Sequence, residues 1–251
     1  MEGLAELGCE LLQLDVTDSK SVFAATEQVL QAAGRIDVLV NNAGLGGRGP
    51  VCDYNIAEAK RVFDVNVFGT MAMCQAVVPH MIQRRSGTVI NIGSALGLIT
   101  LPFTGVYSGS KRAVRGLTDA LRRELYGSGV RAIYCAPGWV RSNISASGAH
   151  GGLNQLDPKG AWGPCARHIA GDLFENEGAG AATTAGFARG FCDMALHPRP
   201  PAFWTNSLTS GWLPLVLDKF APILILDPIL AWRADVHKAF VQLRGNPMGL
   251  M

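Results

Sequence analysis

Three residues in the stretch NIGSALGLITLPFTGVYSGSK (91–111), Ser94, Tyr107 and Lys111, have the types and spacing for proton chemistry. Thr88 to Ile92 is a short, β-branched, apolar run of the kind that forms a buried parallel strand. Gly93-Ser94 ends it, which puts Ser94 at the strand's carboxyl end, where open α/β sheets bind ligands. After Pro102 the apolar residues Val106, Ala113, Val114, Leu117, Leu121 and Leu125 recur with a helical period, and Tyr107 falls in the first turn. Tyr107 and Lys111 are then i and i+4 and share one helix face.

A free tyrosine titrates near pH 10, so it is a poor acid or base at neutral pH unless its anion is stabilised. An ammonium at about 6 Å, in an effective dielectric of about 20, contributes roughly 2.8 kcal/mol, or about two pKa units. Lys111 is therefore expected to lower the pKa of Tyr107, while Ser94 offers a hydroxyl to the same substrate oxygen.

The elements around these residues can be read in order. Met1 to Leu7 reads as the end of a helix closed by Gly8, and Glu10 to Val16 as a strand. Asp15 either borders a ligand at that strand's end or begins a capping turn with Thr17-Asp18-Ser19. Val22 to Ala33 is an amphipathic helix stopped by Gly34, and Ile36 to Val40 is the next buried strand. Gly44, Gly46 and Gly49 then spell GxGxxG after a strand, the form of a dinucleotide fingerprint. The fingerprint works only if a helix opens at the glycines. Here Pro50-Val51-Cys52-Asp53 intervenes before Asn55 and Glu58, the capping box of the next helix, so the match is rejected. From Ile56 to Met81 the apolar pattern is sustained, and Asn66 interrupts it; a buried mid-helix Asn needs partners or costs about 1 to 3 kcal/mol. Val130 to Cys135 is another strand, closed by Pro137-Gly138. Thr184 to Leu196 reads as a helix, and a short strand follows near Ala202 to Thr205.

The chain's 251 residues are enough for one large α/β domain with a real core, and we expect a single domain over 1–251 with a variable part at 143–251. A net charge of +2 without a Lys/Arg cluster gives no case for nucleic-acid binding. Six Cys without a CxxC, and five His without ligand spacing, point to a reducing cytoplasmic compartment and no structural metal. The opening residues lack the apolar core of a signal peptide.

Five stretches fall in the order and spacing of one known set. They are Asn41-Asn42-Ala43-Gly44, Asp64-Val65-Asn66-Val67-Phe68-Gly69, Gly93-Ser94, Tyr107-Ser108-Gly109-Ser110-Lys111 and Pro137-Gly138-Trp139-Val140. In these the sequence resembles the short-chain dehydrogenase/reductase family. The resemblance implies a Rossmann-like α/β fold, a doubly wound parallel sheet, that moves a hydride between a nicotinamide cofactor and a carbonyl or alcohol. It implies Ser94, Tyr107, Lys111 and Asn66 as the catalytic set, with Asn66 holding a water that connects to Lys111. Asp15 and Val16 would border the adenine; Asn42, Ala43 and Gly44 would lie beside the cofactor; Tyr107 and Lys111 would hold its ribose. Pro137, Gly138 and Val140 would meet the nicotinamide, and Ser142 stands where the family's usual Thr lies. A homo-oligomer is implied as well.

By the same resemblance the family's Thr-Gly-x-x-x-Gly-x-Gly cradle is missing, so the first βαβ unit is expected to be absent. Within the family, Val65 to Gly69, Met73-Cys74, Leu101-Pro102-Phe103 and an apolar carboxyl tail look most like acyl-dihydroxyacetone-phosphate reductases. That likeness implies NADPH, with NAD left open, and a lipid-linked ketone at endoplasmic reticulum or lipid droplets. Retinol or hydroxysteroid dehydrogenases share much of the pattern. A truncated, non-catalytic interaction protein is the reading from another class. Ser145 to Asp157 reads as a substrate lid or as a plain long loop. The runs 212–217 and 221–226 are apolar, but Pro214, Pro222 and Pro228 rule out a regular span. They read as a core or dimer contact, a pocket wall, or an interfacial membrane segment anchored by Trp204, Trp212 and Trp232.

Overall fold

The structure is a computed structural model that describes residues 2–141, 161–163, 181–207, 216–217 and 227–231. Ser142, the segment 145–157, Trp212, Trp232 and most of the apolar tail lie outside the described residues. Four strands form one parallel sheet in the order β1 (Val38–Asn41), β2 (Gly87–Ile92), β3 (Val130–Cys135) and β4 (Phe203–Trp204). Their near-continuous apolar sequences suit burial on both faces.

Side chains alternate across the sheet, and each face meets helices. Leu39, Val89 and Ala132 pack with Val77, Val78 and Met81 of α4 (Thr70–Arg84) and Leu125 beyond α5 (Gly105–Glu124). Ile90, Ile133 and Cys135 face the other way, onto Met194 and Phe191 of α6 (Thr184–Ala195). Helices on both faces make the sheet doubly wound, as the sequence implied. α1 (Glu2–Glu6) and α2 (Ser19–Ala33) precede the sheet, and Gly34 closes α2 at φ 74°, the left-handed backbone that favours glycine.

The strand expected over Glu10 to Val16 does not form. The segment has no regular structure, and Leu11, Leu12 and Leu14 stay exposed. A strand exists only through its ladder, and no described residue offers this segment a neighbour; β1, the nearest strand in sequence, is itself paired on one side only, to β2. Asp15 instead accepts hydrogen bonds from the Thr17 N–H at 2.9 Å and hydroxyl at 2.7 Å, and Asp18 caps α2 through the Lys20 N–H.

The rejection of the glycine fingerprint holds. The chain passes from Gly49 through a 3₁₀ turn at Val51–Asp53 before α3 (Ile56–Phe63) begins at Asn55, whose carboxamide accepts from Ala57 and Glu58 N–H at 2.8 and 3.2 Å. Glu58 pairs with Arg61 at 3.6 Å. α3 continues into a π-helical turn, Asp64–Gly69, and then α4. The combined helix, Ile56–Arg84, is long and apolar enough to cross a membrane. Here it lies on β1, β2 and α5 with Val62, Asn66, Val67, Thr70, Val77, Val78 and Met81 buried, the pattern of a core helix.

Candidate active site

Ser94 emerges from β2 and caps a short turn, its hydroxyl accepting from Leu96 N–H at 3.1 Å. Tyr107 occupies the first turn of α5, and the Ser94 side chain comes near enough to its phenol to lower its pKa. One turn on, Lys111 is buried to 4% exposure; its Nζ donates to the Ile92 carbonyl at 2.8 Å and stands 5.8 Å from the centre of the Tyr107 ring. Ser94 and Tyr107 are half-buried as residues, and the Lys111 amine is buried beside them.

Burial governs the electrostatics, against the expectation from charge alone. It pushes the Tyr107 phenol up, and the Ser94 side chain pulls it back in part. Lys111 is pushed down to about 8 by the same desolvation, with a smaller opposing effect of Cys135. The two-unit lowering expected of Tyr107 presumed a fully charged lysine and a solvated phenol. The phenol is not solvated, and its burial outweighs the lysine's effect.

Asn66 sits on the π-helical turn, 1% exposed. Its carbonyl oxygen accepts from Leu45 N–H at 2.7 Å, and its amide donates to the Leu45 carbonyl and the Ser110 hydroxyl, both at 2.9 Å. Ser110 in turn donates to the Tyr107 carbonyl at 2.7 Å. The widened turn, a form found often at functional sites, thus joins the loop after β1 to the helix carrying Tyr107. Asn66→Leu removes three hydrogen bonds and orphans the Leu45 N–H and carbonyl, and we expect a loss of about 2 to 4 kcal/mol, read as a lower urea midpoint at unchanged slope.

The first Asn of Asn41-Asn42-Ala43-Gly44 does tie the central strands together. Its amide donates to Asn91 at 2.8 Å, and Asn91 donates to Thr118 at 2.9 Å, so β1, β2 and α5 share one buried chain. Asn42 and Ala43 are exposed beside it. At Gly44 an added Cβ would lie 3.3 Å from Asn66 Oδ1 and 3.4 Å from Lys111 Nζ, so the loop passes close to both side chains and a larger residue would have to displace them slightly. After β3, Pro137 accepts from Ala95 N–H at 2.9 Å, Asn206 accepts from Gly138 N–H at 2.8 Å, and Val140 bridges to Ala182. Asp15 is fully exposed, and Val16 packs on Gly69, where a Cβ would meet its side chain at 2.7 Å.

Sequence reasoning missed several contributors. Tyr134, Ser110, Asn91 and Asn206 read as ordinary strand, helix or loop residues. So did Trp162: its ring stands edge-on to Phe103 at 5.5 Å, its indole N–H donates to Cys52 Sγ at 3.1 Å, and its backbone N–H donates to Asp53 at 3.1 Å. Phe103, at φ 63°, holds a left-handed backbone rare for a bulky residue. The Phe103 carbonyl accepts from Gly49 N–H at 2.8 Å, which places this aromatic pair four residues before Tyr107.

The family model described as short chain dehydrogenase matches residues 3–151, more than half of the chain. The chain belongs to the short-chain dehydrogenase family. Dehydrogenase/reductase SDR family member 7B of Mus musculus is 34% identical over 173 residues, which is 67% of this chain and 53% of the relative. The human 17-beta-hydroxysteroid dehydrogenase type 1 is 50% identical over 130 residues, 51% of this chain and 39% of the relative. The chain thus spans about half the length, or less, of the curated relatives it matches. Among solved structures, a short-chain dehydrogenase from Streptomyces avermitilis has a TM-score of 0.65 at 24% identity, covering 94% of this chain and 80% of that one, a likeness of fold. A serine dehydrogenase complexed with NADP+ has a TM-score of 0.63 at 26% identity, covering 77% and 73%.

For this short-chain dehydrogenase, the test of cofactor fit divides in two. The Gly44 loop beside Lys111, the exposed Asn42 and Ala43, and the Tyr107–Lys111 face fit the nicotinamide and its ribose. The described residues contain no glycine turn opening a helix, the usual seat of a pyrophosphate.

Proposed function

We propose that the protein is an NADP(H)-dependent oxidoreductase interconverting a ketone and a secondary alcohol on an apolar, steroid-like substrate. The observation that carries this is the convergence of Ser94, from the end of β2, with Tyr107 and the buried Lys111 of α5, whose Nζ stands 5.8 Å from the Tyr107 ring. Tyr107 gives its proton to the carbonyl oxygen, or takes it from the alcohol, while Ser94 holds that oxygen. Lys111 and Tyr107 would hold the ribose hydroxyls, with Asn42, Ala43 and Gly44 beside them and Pro137, Gly138 and Val140 against the nicotinamide. Ser142 belongs to this set by sequence position. The dinucleotide supplies or accepts the hydride. Asn66 holds the water that returns protons to Lys111.

The choice of NADP leans on the serine dehydrogenase likeness. The hydroxysteroid reading takes first place over acyl-dihydroxyacetone phosphate because a relative named for hydroxysteroid oxidation matches at 50% identity. The Phe103–Trp162 pair offers an apolar wall of the kind such a substrate needs. Trp162→Ala is accordingly expected to raise KM for an apolar ketone about ten-fold with little change in kcat, measured by initial rates over a substrate series.

The deciding experiment follows loss of NADPH absorbance with the full chain and three ketones: a 17-keto steroid, retinal and an acyl-dihydroxyacetone phosphate. Turnover of the steroid ketone above the others is the expected result. Preference for the phospholipid precursor would restore the reading from sequence, and absence of both turnover and NADPH binding would favour the non-catalytic interaction protein. Self-association and attachment to endoplasmic reticulum or lipid droplets are part of the proposal. If deleting 212–241 left co-sedimentation with phospholipid vesicles unchanged, the attachment would be withdrawn.

A further inference from the structure

We infer that Tyr134 is a positioning residue for the reacting set, its buried phenol joining the strand end that carries Ser94 to the helix turn that carries Lys111. The inference rests on the reading of Ser94, Tyr107 and Lys111 given above.

Tyr134 lies on β3, 1% exposed, on the sheet face that meets α5. Its hydroxyl accepts from Ser94 N–H at 3.3 Å, and its single proton is shared between the Ser94 carbonyl at 3.2 Å and the Lys111 carbonyl at 3.4 Å. All three partners are backbone groups of two site residues from different elements. A side-chain substitution at Ser94 or Lys111 would therefore leave this link in place, and only a change at Tyr134 removes it.

The surrounding chain is shaped to admit this ring. A Cβ at Gly93 would fall 2.1 Å from the ring carbon Cζ, and one at Gly97 would fall 2.5 Å from the hydroxyl and 3.0 Å from the Lys111 carbonyl. The glycines on either side of Ser94 are thus spaces for Tyr134, and Phe203 stacks on its ring at 6.1 Å. An ordinary packing tyrosine would also seek partners for its hydroxyl. What sets Tyr134 apart is that those partners are the backbone of Ser94 and of Lys111, the two residues that stand on either side of the Tyr107 ring. Burial drives the Tyr134 phenol itself far upward, so it stays neutral and acts as a tether, with no proton to give.

Tyr134→Phe keeps the ring and its packing and deletes the tether. The chain has four tyrosines, so protein labelled at tyrosine Cζ gives one carbon resonance per residue. In Tyr134→Phe the Tyr107 resonance is expected to titrate at higher pH than in the native protein, with Tyr54 unmoved. kcat is expected to fall about ten-fold at similar KM, its alkaline limb displaced the same way. Phe203→Leu is the packing control: it lowers Tm and leaves the Tyr107 titration and kcat in place. If Tyr134→Phe behaved like Phe203→Leu, the inference would be overturned. Retention of turnover by Tyr107→Phe would instead overturn the underlying reading of the site.

Discussion

Tyr107→Phe is expected to lower ketone reduction by about three orders of magnitude, within the 10² to 10⁴ range of a positioned general acid, with NADPH affinity reduced only by the one ribose contact that the hydroxyl would make. The variant retains the ring, the Ser94 hydroxyl and the buried Lys111; it removes only the phenolic proton. A fall of less than ten-fold in single-turnover rate would show that another group gives the proton. The direction of the reaction should matter too. Burial holds the Tyr107 phenol above its ordinary value of 10.0. At neutral pH the acid form therefore prevails, and ketone reduction should be flat from pH 6 to 7, below the range in which Lys111 gives up its proton. Alcohol oxidation needs the phenolate, and its rate should rise with pH across the alkaline range. Matching pH profiles in both directions would contradict the assignment.

The sequence carried the site better than its energetics. Ser94, Tyr107 and Lys111 were legible because a strand end and an i,i+4 pair are local facts, and Asn66 was legible because a polar residue broke an apolar helix. The π-helical turn that aims Asn66 was not, since an i→i+5 bond leaves no mark on composition. Tyr134 was hidden for a different reason: on β3 it looks like any β-former. Its signal lay elsewhere, in the two glycines that flank Ser94 and make room for it. Glu10 to Val16 shows the opposite failure, a correct propensity without a neighbour to pair with, because strand formation is decided across the sheet. The Tyr107 pKa failed because Coulomb's law was applied before burial was known. Desolvation is set by what covers a group, and that information belongs to the fold.

Lys111 shows the consequence most directly. Its pKa is held at about 8 against an ordinary 10.5, because burial penalises the ammonium. Both folded and unfolded chains are protonated below pH 8, and there the penalty is fully present, at about 3 kcal/mol. Between about 8 and 10.5 the unfolded chain holds a proton that the folded chain has released, so this group's contribution to stability rises with pH through that window. Other groups oppose it. Cys135 is raised by burial to about 12, against a smaller lowering effect of Lys111, and Cys74 to about 11, so both subtract stability once pH passes the ordinary thiol value of 9.0. The clean observable is therefore the difference between native protein and Lys111→Met. At pH 7 the substitution removes the burial penalty and loses the 2.8 Å bond to the Ile92 carbonyl, itself about 1 kcal/mol. A net gain of about 1 to 2 kcal/mol is expected, several degrees in Tm, together with loss of turnover. The gain should shrink as pH approaches 10, where the native lysine is mostly neutral when folded. A variant less stable than native at pH 7, or a difference that grows with pH, would mean that the amine is solvated and that stability is not being traded for a buried charge at the reacting tyrosine.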